Sequence, residues 1–428
     1  MRRWGRRPRR RELSASPLLV AERHRFRARP EGVLASWVLV VGVSSFLLSS
    51  YSIGRLAFRG IGLLAPLLLL LAPRQVRGAA RVPLALAAVV VWVVLGVIWS
   101  PDPAETQRAI IDITALAGLG FGCGSVLGTA GVHRVFGRIW RILLGACVAT
   151  LVLAPGYASR PAVDGAPGWH GIFGHKNALG TITVLALVTF WFEAPGPSRR
   201  RWLAITAVLL VGSRSSTALA VTIMLLGLVA WQATVQVVEN RWLRISLRTA
   251  TAVFMALGAT AFWVRIDIFA SLLGRDPTLS GRTQIWAAVW HAIGRSPLLG
   301  QGIGGVWHGP IEPTSTIWKE IHFQAFHAHS GYLDLVLQLG LIGALLFASL
   351  IGSTVVGLRR RGGQAGRWGL VLLLVLCLNA ASETGPFLSE GFVVIAVLSA
   401  AAAQKPPVRR RGYRTLAPAE PRLASSSA

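Results

Sequence analysis

Apolar segments alternate along the chain with short polar connectors, and most of these segments are long enough to cross a bilayer. A membrane-spanning helix needs about 17–25 predominantly apolar residues. We predict helical spans at 33–52, 56–72, 82–99, 109–130, 136–154, 177–193, 202–213, 216–237, 248–266, 331–357, 367–382 and 386–403. The pattern predicts an all-α, polytopic membrane protein with about twelve transmembrane helices.

Arginine is concentrated in every second connector, and this distribution orients the predicted helices. The chain is 53% hydrophobic and 14% charged, with a formal net charge of +27. Confinement of the arginines to short connectors matches the positive-inside rule better than a nucleic-acid surface. We therefore predict no nucleic-acid partner and place both termini in the cytoplasm. Residues 1–32 form an Arg-rich cytoplasmic arm, 33–403 the transmembrane domain, and 404–428 a basic cytoplasmic tail that is expected to be disordered.

The connector 267–330 precedes the last three predicted spans and is too long to be a simple turn. We predict that it is extracytoplasmic and contains short amphipathic helices. One of these is indicated by a stripe at i, i+4 and i+8, formed by Ile285, Trp286, Val289, Trp290 and Ile293. This helix would either lie in the headgroup region or form a wall for a lipid-linked substrate.

Four polar segments carry most of the residues that could perform chemistry: GHKNALG (174–180), SRSS (213–216), SGRTQIW (280–286) and HAHSG (327–331). The predicted orientation places each at the outer start of a helix, with Ser280 a candidate N-cap. Helix N-termini favour anions because they expose unpaired N–H groups. Together with Lys176, Arg214 and Arg282, they predict a phosphate or diphosphate site. The alternatives are a snorkelling Arg214, an Arg282 that pairs with Asp276 or is an exposed loop charge, and a Lys176 that marks the end of a span.

Histidine is the candidate acid or base, since it titrates near neutrality. His329 is our first choice, with His327 as the alternative; hydrogen bonding within the loop would explain either one without catalysis. The three cysteines, Cys123, Cys147 and Cys377, lie in apolar stretches. No metal-ligand spacing is present in the sequence, so we predict no disulfide, no metal site and no cofactor.

Several longer segments, in this order, resemble the O-antigen ligase and polymerase superfamily of Wzy/WaaL-like membrane glycosyltransferases. They are GIFGHKNALG (171–180), LLVGSRSSTAL (209–219), GRTQIWAAVWHAIGRSPLLGQGIGG (281–305) and HAHSGYLDLVLQLGLIGALLF (327–347). HKN and GRTQIW are more similar to exopolysaccharide polymerases than to lipopolysaccharide core ligases.

The resemblance implies a GT-C-like fold and a metal-independent, inverting transfer of glycan from a polyprenyl-diphosphate carrier. By motif, Arg214 and Arg282 would hold the diphosphate, and His329 would act on the acceptor hydroxyl. This chain has HAHS where many relatives have His followed directly by Asn, so His327 stays in consideration. We assign substrate contacts to a second set: His175, Lys176, Asn177, His327 and Tyr332.

The expected function is polymerisation or ligation of glycan repeat units of the O-antigen, exopolysaccharide or capsule type. It would take place at the outer face of the cytoplasmic (inner) membrane. One alternative is a ligase that moves a finished glycan to a lipid, wall or protein acceptor. Another is a lipid or solute transporter, which would call for ionisable residues within the spans. Expected partners are a polyprenyl-diphosphate-linked oligosaccharide, an acceptor glycan, the lipid bilayer and other polysaccharide-assembly proteins.

Overall fold

The structure is a computed structural model that describes residues 30–47, 52–160, 167–264 and 281–404. The described residues are helical with connecting turns and contain no strand. Most of the arm 1–32 and of the tail 404–428 lies outside these ranges, as do Asp276 and Ser280. The predictions for those parts are therefore not tested.

The described helices follow the predicted apolar segments closely, with short helices between them. In chain order they are α1 Pro30–Leu47, α2 Ser52–Leu64, α3 Leu68–Leu71, α4 Arg74–Ala79, α5 Leu84–Leu95, α6 Pro103–Leu153, α7 Pro155–Ala158, α8 Lys176–Trp191, α9 Pro197–Ser213, α10 Ser216–Val237, α11 Arg241–Val264, α12 Arg282–Arg295, α13 Thr314–Ile321, α14 Gly331–Arg361, α15 Gly363–Asn379, α16 Gly385–Leu388 and α17 Glu390–Ala403. Single 3₁₀ turns follow α2 and α5, at Ala65–Leu67 and Gly96–Ile98.

Among the described residues, four helical stretches combine the length and apolar composition needed to cross a bilayer. They are Gly54–Leu71, Pro103–Leu153, Ser216–Val237 and Gly331–Arg361. Shorter apolar helices, such as α8, α15 and α17, pack beside them. The prediction of an all-α membrane protein is confirmed at this level, while the number of spans stays a prediction.

Helix α6 forms the centre of the bundle and packs most extensively against α17. Gly120 and Gly124 allow this close approach: a Cβ at Gly120 would lie 2.4 Å from the Cβ of Ala396. Small residues bring helix backbones together in this way in membrane proteins, where dispersion contacts replace the hydrophobic effect as the source of helix association.

The chain reverses direction at Gly128, within α6. Its φ of 60° and ψ of 175° interrupt the helical backbone. Gly128 lies beside Gln404, just after the end of α17, whereas Cys147 lies against Gly171 at the other end of the bundle. The sequence pattern predicted a connector at 131–135; the reversal occurs earlier because glycine reaches positive φ without a Cβ clash.

Helix α14 is bent at Gly340, where φ is 67°. The segment 297–301 enters the bend: Leu341 and Ile342 donate their N–H groups to the carbonyls of Pro297 and Leu298 at 2.9 and 3.2 Å. A Cβ on Gly300 would lie 2.4 Å from the backbone nitrogen of Gly340. The glycine run 300–305 therefore begins as a backbone junction with α14.

Arginine-rich connectors meet at one end of the bundle. Arg141 forms a two-point ion pair with Glu193, with N–O distances of 2.8 and 2.5 Å. Arg199 donates to the carbonyl of Phe190, and Arg361 donates to that of Ala402. Helix α8 ends near this cluster, so its beginning, at Lys176, marks the opposite end of the bundle.

Candidate active site

The predicted polar segments come together at the end of the bundle where α8 begins. We call this the site end and define it by residues 171–177, 213–217, 327–331 and 380–384. Asn177 donates to Glu383 at 2.8 Å, Thr217 and Ser382 share a hydroxyl hydrogen bond of 2.8 Å, and the Gly331 N–H donates to the Ala380 carbonyl at 2.7 Å. The turn 380–384 thus connects the other three segments.

Each polar segment lies at the start of a helix, as predicted. His175, Ser215 and Ser330 are N-caps, and their side chains accept hydrogen bonds from the N–H groups of Asn177, Ala218 and Leu333 respectively. Helix α12 begins at Arg282, after Gly281 with φ of 85°. These helix starts supply partial positive charge at the site end.

Glu383 is the central carboxylate of the site. It lies 3.5 Å from Arg282, and it also accepts the hydrogen bond from Asn177. Both members of the ion pair are mostly buried, with side-chain exposures of 22% for Arg282 and 14% for Glu383. The alternative partner of Arg282, Asp276, lies outside the described residues. Glu383 thereby fixes the position of a guanidinium and an amide that come from distant parts of the chain.

Burial raises the pKa of Glu383 to about 7, against the opposing effect of the Arg282 charge. The nearby charge of Glu390 raises this pKa further, whereas a hydrogen bond with Thr217 lowers it. The ionised form, which binds Arg282, therefore increases as the pH rises through neutrality.

His327 and His329 form a close pair, with ring centroids 4.0 Å apart. Nδ1 of His327 accepts the His329 N–H at 3.3 Å, which leaves the His327 ring proton on Nε2 in the neutral form. His329 adopts a positive φ of 50°. Its Nδ1 is buried and has no hydrogen-bond partner among the described residues.

Both imidazoles are held neutral. Burial is the main cause: it lowers the pKa of His327 to about 4 and that of His329 to about 3. The Arg282 and His175 charges act in the same direction on both rings, and His327 adds to the effect on His329. His175 and Arg282 therefore lie close enough to the histidine pair for their charges to affect both imidazoles. A neutral imidazole can accept a proton, and an anion bound beside it would raise its pKa.

Arg214 lies at the same end of the bundle as Arg282. It terminates α9 in the left-handed conformation, with φ of 51°, and its side chain is exposed. Three residues later along the chain, Thr217 contacts Ser382, the residue before Glu383. Convergence of the two guanidinium groups on one bound group stays a prediction.

The remaining candidates differ in how closely they join the site. Lys176 lies against the preceding loop, where its Nζ donates to the Pro167 carbonyl at 3.4 Å. The hydroxyl of Tyr332 donates to the Cys377 carbonyl at 2.9 Å, and its ring packs edge-on against Phe387. Asn177, by contrast, contacts Glu383 directly.

A cavity of about 800 Å³ adjoins the histidine pair, and we call it the charged cavity. His327 and Thr384 line it on the site side, and α2 and α6 contribute charged side chains to it. These are Arg55, Arg59, Glu105, Arg108 and Asp112. The sequence pattern did not predict this set, although Arg59 and Asp112 fall inside predicted spans, where a charged side chain is energetically costly.

The ionisation of Glu383 is expected to control the acid side of the pH–activity profile. Protonation as the pH falls through about 7 would weaken the pair with Arg282 and reduce activity. Without bound donor the histidines, with pKa values near 3 and 4, do not titrate in that range, so rates measured at low donor concentration report Glu383. Glu383→Gln should abolish the fall in activity on the acid side of the profile. Glu390→Gln should shift this fall to lower pH, because it removes a negative charge that raises the pKa of Glu383. Initial rates measured across neutrality test this; the same fall in Glu383→Gln would refute it.

The fold and the site define a class: a multi-pass, all-α membrane protein with a polar site at one end of its helix bundle. Residues 201–348 match the family described as O-Antigen ligase. This region contains Arg214, Arg282, His327 and His329; it leaves out Glu383 and the segment 175–177.

A curated relative extends the match to a particular protein. The chain is 26% identical over 216 residues to the exopolysaccharide production protein ExoQ of Rhizobium meliloti (strain 1021). The alignment covers 46% of this chain and 48% of ExoQ, so it spans about half the length of that relative. The two matches confirm the predicted resemblance to the O-antigen ligase and polymerase superfamily.

Proposed function

We propose that this protein is a glycosyltransferase that polymerises glycan repeat units carried on a polyprenyl diphosphate. The observation that carries the proposal is a close histidine pair that is electrostatically coupled to Arg282, which Glu383 holds in the site. The similarity to an exopolysaccharide production protein supports a role in the assembly of such a glycan. The motifs HKN and GRTQIW, which are more similar to exopolysaccharide polymerases than to core ligases, favour polymerisation over transfer of a finished glycan. The site would face the extracytoplasmic side of the cytoplasmic membrane, with both termini inside, as the arginine distribution predicts.

In the proposed reaction, an acceptor sugar hydroxyl attacks C1 of the donor sugar while the C1–O bond to the diphosphate breaks. The electron pair of that bond leaves with the polyprenyl diphosphate, and in-line attack inverts the anomeric centre. Arg282 and Arg214 stabilise the negative charge that develops on the leaving group. Lys176 and Asn177 contact the phosphate or first sugar of the donor.

The acceptor proton passes to His329, or to His327. The pKa of His329, which burial and the neighbouring charges lower to about 3, is too low for an efficient base. A diphosphate bound beside Arg282 would offset the Arg282 charge, which adds to the effect of burial in lowering this pKa, and would so raise it. Donor binding would thereby prepare the base, and proton transfer would follow only when both substrates are present.

Analysis of carrier-linked glycan in a deletion strain tests the function. Loss of a polymerase should leave single repeat units on the carrier and no long chains. Long carrier-linked chains that fail to reach their acceptor would identify a ligase instead. An unchanged glycan profile, confirmed in a strain lacking related genes, would contradict both. The purified protein in liposomes, given carrier-linked repeat units, should release polyprenyl diphosphate as chains lengthen.

A further inference from the structure

We propose that the charged cavity is the acceptor subsite and binds the terminal sugars of the acceptor glycan. This inference rests on the proposed function and adds to it the place and chemical class of the second substrate. The cavity meets the site at His327 and Thr384, so a glycan seated in it would end beside the histidine pair.

The volume and construction of the cavity fit a short oligosaccharide. Its volume, about 800 Å³, lies within the roughly 300–1,000 Å³ of small-molecule sites. Its wall includes the buried Asp334 and Gln338, from the first part of α14 before the bend. Thr384 also lines it, with a buried hydroxyl oxygen that has no partner among the described residues.

Charged donors and acceptors in the cavity wall pair with one another. Arg59 pairs with Asp112 at 2.5 Å and donates to the Arg108 carbonyl at 3.4 Å, while Arg108 pairs with Glu105. Asp334 accepts from the indole N–H of Trp307 at 2.8 Å. The described lining contains three arginines and three carboxylates, so its formal charges cancel. Such a surface suits vicinal hydroxyls, each of which can donate to a carboxylate and accept from a guanidinium.

The balance of charge distinguishes this cavity from a diphosphate site. A diphosphate needs an excess of positive charge, and the carboxylates of Glu105 and Asp112 would repel it. At the site end Lys176, Arg214, Arg282 and the helix starts outweigh the carboxylate of Glu383, so that end is better suited to the group.

Three aromatic rings, Phe58, Trp307 and Phe326, also line the cavity, and Phe326 is 68% exposed. Such an exposed ring offers an apolar surface against which the C–H face of a sugar can pack.

Thiol protection tests the subsite directly. The Phe326→Cys variant, in membrane vesicles, is labelled with a maleimide in the presence of increasing repeat-unit oligosaccharide, released from the host carrier lipid by mild acid. The oligosaccharide should slow labelling. Asp112→Asn, added to this variant, should raise the half-protecting concentration about tenfold, because it removes a charged hydrogen-bond partner. The native cysteines are wholly or partly buried, and wild-type protein gives their background.

Phe323→Cys is the matched control: Phe323 belongs to the same loop, is 43% exposed and does not line the cavity. Its labelling should be insensitive to the oligosaccharide. His308→Cys, at another exposed lining position, provides a second reporter if Phe326→Cys does not accumulate. Absence of protection at both reporters, or equal protection of Phe323→Cys, would overturn the subsite.

Two further outcomes separate the subsite from the function. Protection by geranyl diphosphate and not by the oligosaccharide would assign the cavity to the donor and overturn our proposal. Transfer activity in liposomes without any protection would overturn the acceptor subsite alone. Protection in a protein that transfers no glycan would leave a glycan-binding cavity and contradict the glycosyltransferase function, and with it the acceptor role.

Discussion

Replacement of Arg282 by alanine is expected to lower the rate of polymer formation by about 10²–10³-fold, the cost of removing one preorganised donor from a developing negative charge. The effect should be this large because Arg282 is mostly buried, and Glu383 already holds it in position. No reorganisation is then needed when the leaving group forms. The variant would also leave Glu383 without its cation. Purified protein in liposomes gives the rate, and immunoblotting gives the abundance.

Arg295→Ala is a matched control on the same helix. Its guanidinium pairs with Glu312 at 3.0 Å, and both side chains are about half exposed. Loss of such a pair should have little effect on rate or stability. Arg282→Lys should be intermediate, since it keeps the charge but loses the planar fork of donors. Normal polymer formation by Arg282→Ala at normal abundance would remove this residue from the mechanism.

Replacement of His329 by asparagine is expected to reduce the rate by about 10²–10⁴-fold, the usual contribution of a positioned acid or base. Asparagine is preferred to alanine because His329 has a φ of 50°, and asparagine tolerates the left-handed conformation well. The variant should therefore keep the backbone while it removes the base. The rate that remains should no longer depend on the protonation state of the His329 imidazole.

His322→Asn is the control, because His322 also has a positive φ, of 62°, and is exposed in the same loop. It should retain full activity. His327→Asn should lose less than His329→Asn if His327 mainly positions its neighbour through the hydrogen bond from the His329 N–H. The reverse order of effects would exchange the two roles, and wild-type rates in both variants would exclude a histidine base.

The sequence predicted the membrane class and the helix starts that form the site end, because both are local properties. Length and hydropathy identify a span, and a polar residue before an apolar run identifies an N-cap. Arg282 and the histidine pair were predicted correctly as neighbours of a helix start. Their electrostatic coupling with His175 depends on how α8, α12 and α14 pack together. This packing cannot be predicted from the pattern of any one short segment.

Other site residues could not be predicted from the sequence, because their positions depend on contacts between distant parts of the chain. Glu383 lies in a turn between two spans, and only the tertiary contacts with Arg282 and Asn177 reveal its position in the site. Arg59 and Asp112, by contrast, could have been recognised from the sequence. Each is a charge within a predicted span, and such charges call for a partner or a polar cavity. Arg59 of α2 and Asp112 of α6 form an ion pair with each other.

The contact between Gly300 and Gly340 bears on how the proposed glycosyltransferase could change its sugar selectivity. Backbone hydrogen bonds make most of this joint, and the Gln338 side chain adds one by accepting the Gly304 N–H, so the joint constrains the two glycines more than the surrounding sequence. The stretch between 301 and 326, which supplies Trp307 and Phe326 to the cavity wall, is therefore anchored at its base independently of its own side chains. Exchange of that stretch offers a route to new sugar selectivity with the reacting groups left in place.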